Sequence, residues 1–366
     1  MAPVLQSLGK DGSYEASRRR RVSVAPGGNI DDALLLSLQE GIPFAPHPLK
    51  VVGEKLGLSE EEVIRKIRNF FETGKARRFG AVFDSRQLGY KSTLCGVKLE
   101  PGKIDSTAAS LVPYTSITHC YFRECLSATS GTSLPNLWFT VTARADLYEK
   151  EMASIKQTVA PGNLLVLPAK RRFKIQVILD PRLSSQKSLV SSHHTPNPGL
   201  LETDTPALVL SEKEKEVVRQ LQDNLSPATD PIKAIAAKTG LNPMEIVQLL
   251  LHWKETGALR RIGLVLHHQK IGFKANAMCV WKVQETRVEQ AGRFLADIDS
   301  VTHCYERLST ESFPYNMYAM VHAGDEETIR GIFQEISSGA GLTDGLILVS
   351  TREYKKTSPR FFCENR

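Results

Sequence analysis

The apolar positions of this chain change their period several times, and each change marks an element. Asn29 is placed to cap a helix in which Ile30, Ala33, Leu34 and Leu38 recur at helical spacing, and Gly41 and Pro43 end it. A second helix runs from Leu49 to Lys55 and stops at Gly57. Ser59 caps a third, with Glu62 three residues on as a capping box and Val63, Ile67 and Phe70 as the buried stripe; Gly74 ends it. Three short helices with a tight Leu56-Gly57-Leu58-Ser59 turn predict a helix-turn-helix unit. The pattern then turns strand-like over 81–83, 91–99, 117–123 and 137–143, with helices over 105–111 and 146–157. A last core strand covers 164–167, with 172–179 extending beyond it. Apart from the first short strand the order is β-α-β-β-α-β, that of a ferredoxin-like domain.

The second half repeats the first. Ser211 caps a helix, with Glu214 three residues on, and further helices follow from Ile232 to Lys238 and from Pro243 to Thr256. Arg77-Arg78-Phe79-Gly80 matches Arg260-Arg261-Ile262-Gly263, and Leu88-Gly89-Tyr90-Lys91 matches Ile271-Gly272-Phe273-Lys274, both at an offset of 183 residues (260 − 77). Asn136-Leu137-Trp138 corresponds to Asn316-Met317-Tyr318. The predicted fold is therefore α+β, a tandem duplication of a winged helix-turn-helix plus a ferredoxin-like βαββαβ domain. Its parts are a disordered basic leader (1–28), a first helix-turn-helix (29–80), a first ferredoxin-like domain (81–179), a linker (180–206), a second helix-turn-helix (207–263) and a second ferredoxin-like domain (264–362). Residues 124–134 form a Ser/Thr/Gly-rich insertion, and His193-His194 in the linker reads as solvated.

With 366 residues and 41% apolar content the chain can bury two or more ordinary cores. It has no long apolar run, which predicts no membrane span, and no secretory-type start, which predicts a cytoplasmic protein. Six cysteines without a C-x-x-C supply no zinc or iron–sulfur ligand set and read as free thiols. The net charge of +7 favours anionic partners, although part of it is the run Arg18-Arg19-Arg20-Arg21 in the leader.

Two stretches carry candidate chemistry. In Val301-Thr302-His303-Cys304-Tyr305-Glu306-Arg307 strand alternation puts His303, Tyr305 and Arg307 on one face and Thr302, Cys304 and Glu306 on the other. Ile117-Thr118-His119-Cys120-Tyr121-Phe122-Arg123 repeats the pattern, with His119, Tyr121 and Arg123 together. An edge strand turned to solvent is the plain reading of either alone. A repeat kept for packing would preserve apolar positions and would not require a His-x-Tyr-x-Arg face. The helix-turn-helix units are poorly built for DNA: one recognition helix begins Ser59-Glu60-Glu61-Glu62, and the other, from Asn242, has no Arg or Lys before Lys254. Dimerisation or closure of a pocket is the alternative use.

In broad outline the arrangement resembles the Lrp/AsnC regulators. Its motifs are similar to a narrower branch, the siroheme decarboxylases, usually heterodimers of two related subunits. Arg77-Arg78-Phe79-Gly80-Ala81-Val82-Phe83-Asp84, Asn136-Leu137-Trp138-Phe139-Thr140 and Leu167-Pro168-Ala169 resemble the A-type subunit. Arg260-Arg261-Ile262-Gly263, His268, Gly272-Phe273-Lys274-Ala275-Asn276-Ala277, His303-Cys304-Tyr305, Phe313-Pro314-Tyr315-Asn316 and Lys355-Lys356-Thr357-Ser358 resemble the B-type. Cys120, where the A-type usually has Asn, and Pro135, where it usually has Tyr, depart from the pattern.

The resemblance implies a carboxy-lyase that converts siroheme to 12,18-didecarboxysiroheme without an oxidant or added cofactor, serving haem or haem d1 synthesis. The substrate brings its own iron, and the two halves pair within one chain, with a homodimer also open. The alternatives are a DNA-binding regulator and a tetrapyrrole sensor or carrier. His303 leads as acid/base or iron-contacting residue, with Tyr305 beside it and His268, in the turn after a strand, as second candidate; a water-facing turn residue is its other reading. Arg260, Arg261, Lys274 and Arg307 are candidate carboxylate holders, and Arg260-Arg261 reads equally as a solvated helix end. Tyr315 and His322 are candidate substrate contacts, or packing and core-edge residues. His119, Tyr121 and Arg123 would form a second site.

Overall fold

A computed structural model of the chain describes residues 29–45, 47–126, 134–159, 164–175, 178–184, 206–227 and 231–364. The leader, most of the 124–134 insertion and most of the linker with His193-His194 lie outside the described residues. The first half comprises α1 (Ile30–Glu40), α2 (Pro48–Glu54), α3 (Glu60–Glu72), β1 (Ala76–Phe83), β2 (Tyr90–Val97), α4 (Ile104–Leu111), β3 (Ile117–Cys125), β4 (Leu137–Arg144), α5 (Tyr148–Thr158) and β5 (Leu164–Ile175). The second comprises α6 (Glu212–Gln222), α7 (Pro231–Thr239), α8 (Pro243–Glu255), β6 (Leu259–Leu266), β7 (Ala275–Trp281), α9 (Val288–Asp297), β8 (Val301–Arg307), β9 (Met317–Ala323), α10 (Glu326–Gly339) and β10 (Gly345–Lys356). The helix starts are chemically fixed. Asn29 accepts from the Asp31 N–H, and capping boxes form at Ser59/Glu62, Ser211/Glu214 and Asn242/Glu245.

The sheets of the two ferredoxin-like domains join edge to edge. They share one closed antiparallel barrel in the order β10-β3-β4-β2-β5-β8-β9-β7, with β7 paired back onto β10. The reason lies in the length of the last strand of each half. β5 pairs with β2 through residues 164–168, then with β8 of the other half through 169–175. β10 likewise pairs with β7 through 345–349 and with β3 through 348–356. What reads in sequence as a short strand plus an extension beyond it is, in the first half, one strand of 12 residues that changes partner midway. Each half alone would leave that extension as an unpaired edge, and closure removes it.

Outside the barrel, α4 and α5 cover one half and α9 and α10 the other, each over its own apolar core. A fourth apolar cluster, including Trp138, Leu167, Met278, Val280 and Leu348, draws on strands of both halves. The helix-turn-helix units share a single core in which Val63, Ile67, Phe70, Leu250 and Trp253 are buried. They are joined by a two-stranded ribbon, β1 against β6, in which the two copies of the Arg-Arg-x-Gly motif face each other with Gly80 opposite Gly263. α1 packs on β6 and α6 on β1, so each helix leans on the other half's strand. That crossing needs glycine. A Cβ on Gly263 would stand 2.3 Å from the Leu38 carbonyl oxygen, and one on Gly80 2.6 Å from that of Asp223. Among the described residues no helix is long and apolar enough to cross a membrane.

Gly263→Ala forces α1 off the ribbon. Its expected cost is about 1–3 kcal/mol, the usual range for overpacking, read as a lowered Tm. An unchanged Tm would show that the close approach carries no weight.

Candidate active site

The ribbon and the barrel interior enclose a cavity of about 450 Å³. Strand alternation puts the repeated polar face into it: His119, Tyr121 and Arg123 of β3 and His303, Tyr305 and Arg307 of β8 all line the space. The cysteines between them point outward, Cys120 into the core under α4 and α5 and Cys304 into that under α9 and α10. The two triplets have the same internal geometry. The His119 and Tyr121 rings stack at 6.1 Å, and those of His303 and Tyr305 at 6.2 Å. Arg123 lies 5.1 Å over Tyr121, and Arg307 4.7 Å over Tyr305. Each arginine donates across the seam to a carbonyl of the other half, Arg123 to Leu348 at 3.1 Å and Arg307 to Leu167 at 2.8 Å.

Cations dominate the lining. Arg77 and Arg78 from β1 and Arg260 and Arg261 from β6 form the roof, and Arg123, Arg172, Arg307 and Lys356 complete a set of eight. Asp84 is the single carboxylate among the lining residues, bonded to Arg172 at 2.7 Å and Arg260 at 3.0 Å. Burial pushes its carboxyl up, but the Arg172 hydrogen bond and the charges of Arg260 and Arg172 outweigh that and hold it near about 2. Buried nitrogens of Arg77, Arg123 and Arg307 have no hydrogen-bond partner among the described residues. Unpaired buried guanidinium donors are costly. A polycarboxylate ligand fits a cavity that holds them.

Four imidazoles share the space: His119, His268, His303 and His322. Burial, with the nearby cations, lowers His303 and His268 to about 4 and His119 to about 3, and drives His322 well below its ordinary range. His268 is buried in the turn after β6; its Nδ1 lies 2.8 Å from Lys356 Nζ and its ring meets that of His322 edge-on at 5.4 Å. Burial brings Lys356 down to about 8.

Of the residues read from the sequence, His303, Tyr305, His268, Arg260, Arg261, Arg307, His322, His119, Tyr121 and Arg123 come together in this one cavity. The triplets do not make two separate sites. Lys274 and Tyr315 are placed elsewhere. Lys274 follows the turn, exposed, and Tyr315 packs edge-on against Phe313 at 4.9 Å in the apolar cluster, so neither lines the cavity. Arg77, Arg78, Asp84, Arg172 and Lys356 were not singled out as site residues. The 183-residue repeat that maps Arg260-Arg261 onto Arg77-Arg78 carried the signal for the first two. Nothing local marks Arg172, which reaches the cavity only because β5 crosses to β8.

Comparison with known proteins follows the same outline. Residues 87–174 and 270–355 match the AsnC-like ligand binding domain, and residues 31–77 the siroheme decarboxylase NirDL-like helix-turn-helix domain. A siroheme decarboxylase of Hydrogenobacter thermophilus is 33% identical over 92% of this chain and 96% of its own length. The siroheme decarboxylase beta subunit of Methanosarcina barkeri is 35% identical over 40% of this chain and 95% of its own, so this chain has room for two such subunits. The crystal structure of the siroheme decarboxylase NirDL in co-complex with an iron-uroporphyrin III analogue superposes with a TM-score of 0.66 and 28% identity, covering 92% of this chain and 95% of that one. The duplicated fold, the cation-lined cavity between its halves and full-length likeness to these enzymes make the chain a member of the siroheme decarboxylase family.

Proposed function

We propose that the protein removes acetate carboxyl groups of siroheme as carbon dioxide, in the cavity between the ribbon and the barrel. The observation that carries this is a lining with eight cations, four imidazoles and one carboxylate already paired. Such a lining suits a polyanionic macrocycle held by its carboxylates.

Each turnover converts a methylene carboxylate and one proton into a methyl group and carbon dioxide. The electron pair of the breaking C–C bond must be accepted. Protonation of the adjoining pyrrole carbon makes the ring the acceptor, and a proton must then reach the methylene while the ring proton is lost. A positioned acid is required. His303 takes this role, with Tyr305 stacked on it, and His268 and His322 stand on the same wall. Burial and the surrounding cations keep His303 neutral at pH 7. Substrate carboxylates offset those cations and so raise the imidazole pKa. Arg77, Arg123 and Arg307 hold spare donors for the retained carboxylates. The regulator reading loses ground because the arginines of the ribbon face the cavity, leaving them unavailable to phosphate.

Anaerobic incubation with siroheme and mass analysis of the extracted macrocycle should show successive loss of two carbon dioxide units; an unchanged, bound macrocycle would point to a carrier. His303→Ala should retain siroheme and lose about 100- to 10,000-fold in rate, the span of general acid catalysis. Arg307→Gln should instead weaken binding, measured by titration of the siroheme absorbance. The depressed histidines also affect folding. Between about pH 6.5 and 4 the unfolded chain binds protons that the folded chain refuses, so stability falls as pH is lowered through that window. The Tm of the ligand-free protein should drop accordingly, and mutation of His268 and His303 to Gln should flatten the profile.

A further inference from the structure

Thr302 lies in a β-bulge: the register of β8 on β9 shifts between Val301 and His303. A bulge re-aims side chains. Here it lets the hydroxyl of Thr302 reach the ring of the next residue, where strict alternation would send the two to opposite faces. Its Oγ1 lies 3.1 Å from His303 Nδ1 and 3.3 Å from His322 Nδ1, with the Met320 carbonyl oxygen at 3.4 Å. Thr302 itself is 1% exposed and is not among the residues lining the cavity.

A hydroxyl has one proton to donate and lone pairs to accept. The Met320 carbonyl can only accept, so the hydroxyl proton is shared between it and the nearer His303 Nδ1. Donation there requires that nitrogen to be bare, so neutral His303 carries its proton on Nε2. His322 Nδ1 must then be the donor to the hydroxyl oxygen, which leaves its Nε2 bare. A histidine's tautomer is set by the hydrogen bond its other nitrogen makes.

We infer that Thr302 is a positioning residue that holds His303 and His322 in opposite tautomers, so that one offers the cavity an N–H donor and the other a lone pair. The inference deepens the proposed decarboxylase reading and rests on it for its catalytic meaning. The two imidazoles would then divide the work: His303 as the donor, and His322 as the acceptor that binds a proton, a water or the iron of the substrate. The first half has no such pair. Thr118 lies 2.9 Å from His119 Nδ1 at a matching bulge, but the residue in the place of His322 is Thr142.

The test is nitrogen-15 NMR of the histidine-labelled full chain near pH 7, with His303→Gln and His322→Gln variants used only to assign the two rings. The wild type should show His303 protonated at Nε2 and His322 at Nδ1. In Thr302→Val, which keeps the shape and removes the hydroxyl, His322 should revert to the Nε2–H form that an imidazole without a partner prefers, and Thr302→Ser should restore Nδ1–H. Siroheme turnover by Thr302→Val should fall about 10- to 100-fold in kcat, the loss typical when a group that orients a functional histidine is removed, with KM little changed. Identical tautomers in the wild type would overturn the inference, even if Thr302→Val does not fold. So would a valine variant with unaltered tautomers, or a serine variant that fails to restore them. Absent turnover by the wild type with the tautomers as stated would instead count against the decarboxylase reading.

Discussion

The structure depends on two strands that each serve two sheets. β5 and β10 begin in their own half and end in the other, and everything functional follows from the two seams they make. Without the seams, β3 and β8 would be open edges and their inward faces would look into solvent. With them, those faces become opposite walls of one closed space. Arg123 and Arg307 reinforce the same seams from inside, each donating to a carbonyl on the crossing strand. A residue that serves the site is thus also tied into barrel closure.

The cavity is expensive to maintain. Guanidinium groups taken from water without carboxylate partners lose hydration that the protein repays only in part, through backbone carbonyls and aromatic faces. Asp84 repays some of it at Arg172 and Arg260. The remaining deficit favours an anionic occupant and selects against a neutral one. The histidine shifts are another consequence of this field.

Much of this was legible in the sequence because it is local. Caps at Asn29, Ser59 and Ser211 and the stripe Val63, Ile67, Phe70 announce helices within a few residues of themselves. The His-x-Tyr-x-Arg alternation announces a strand with one polar face. What was not legible is non-local. No pattern within residues 164–175 says that the strand changes partner, so the joining of the two ferredoxin-like sheets into one barrel was not foreseen. Arg172 enters the cavity through that change of partner, and Lys356 through the matching crossing of β10 onto β3. Lys274 was selected by its neighbours in a motif, and the turn ending at Gly272 leaves it exposed. The bulges at Thr118 and Thr302 break the alternation by one residue and were invisible for that reason.

The duplication is kept where the fold needs it and relaxed where chemistry differs. Gly80 and Gly263, Gln39 and Gln222, and the two strand triplets hold equivalent places. Gln39 bridges the Leu179 backbone by two hydrogen bonds as Gln222 bridges that of Phe361. These positions set close approach and closure, which both halves require. Between the triplets the walls diverge. Where the second half contributes His268, His322 and Lys356 to the cavity, the first half contributes Ser85, Thr142 and Ile175, and strand crossing sets Lys356 beside His119 and Ile175 beside His303. A homodimer would carry the same groups on both walls by symmetry. Fusion of unequal halves lets one half place titrating groups at positions where the other keeps small hydroxyl and apolar side chains, and so makes the two sides of the cavity distinct.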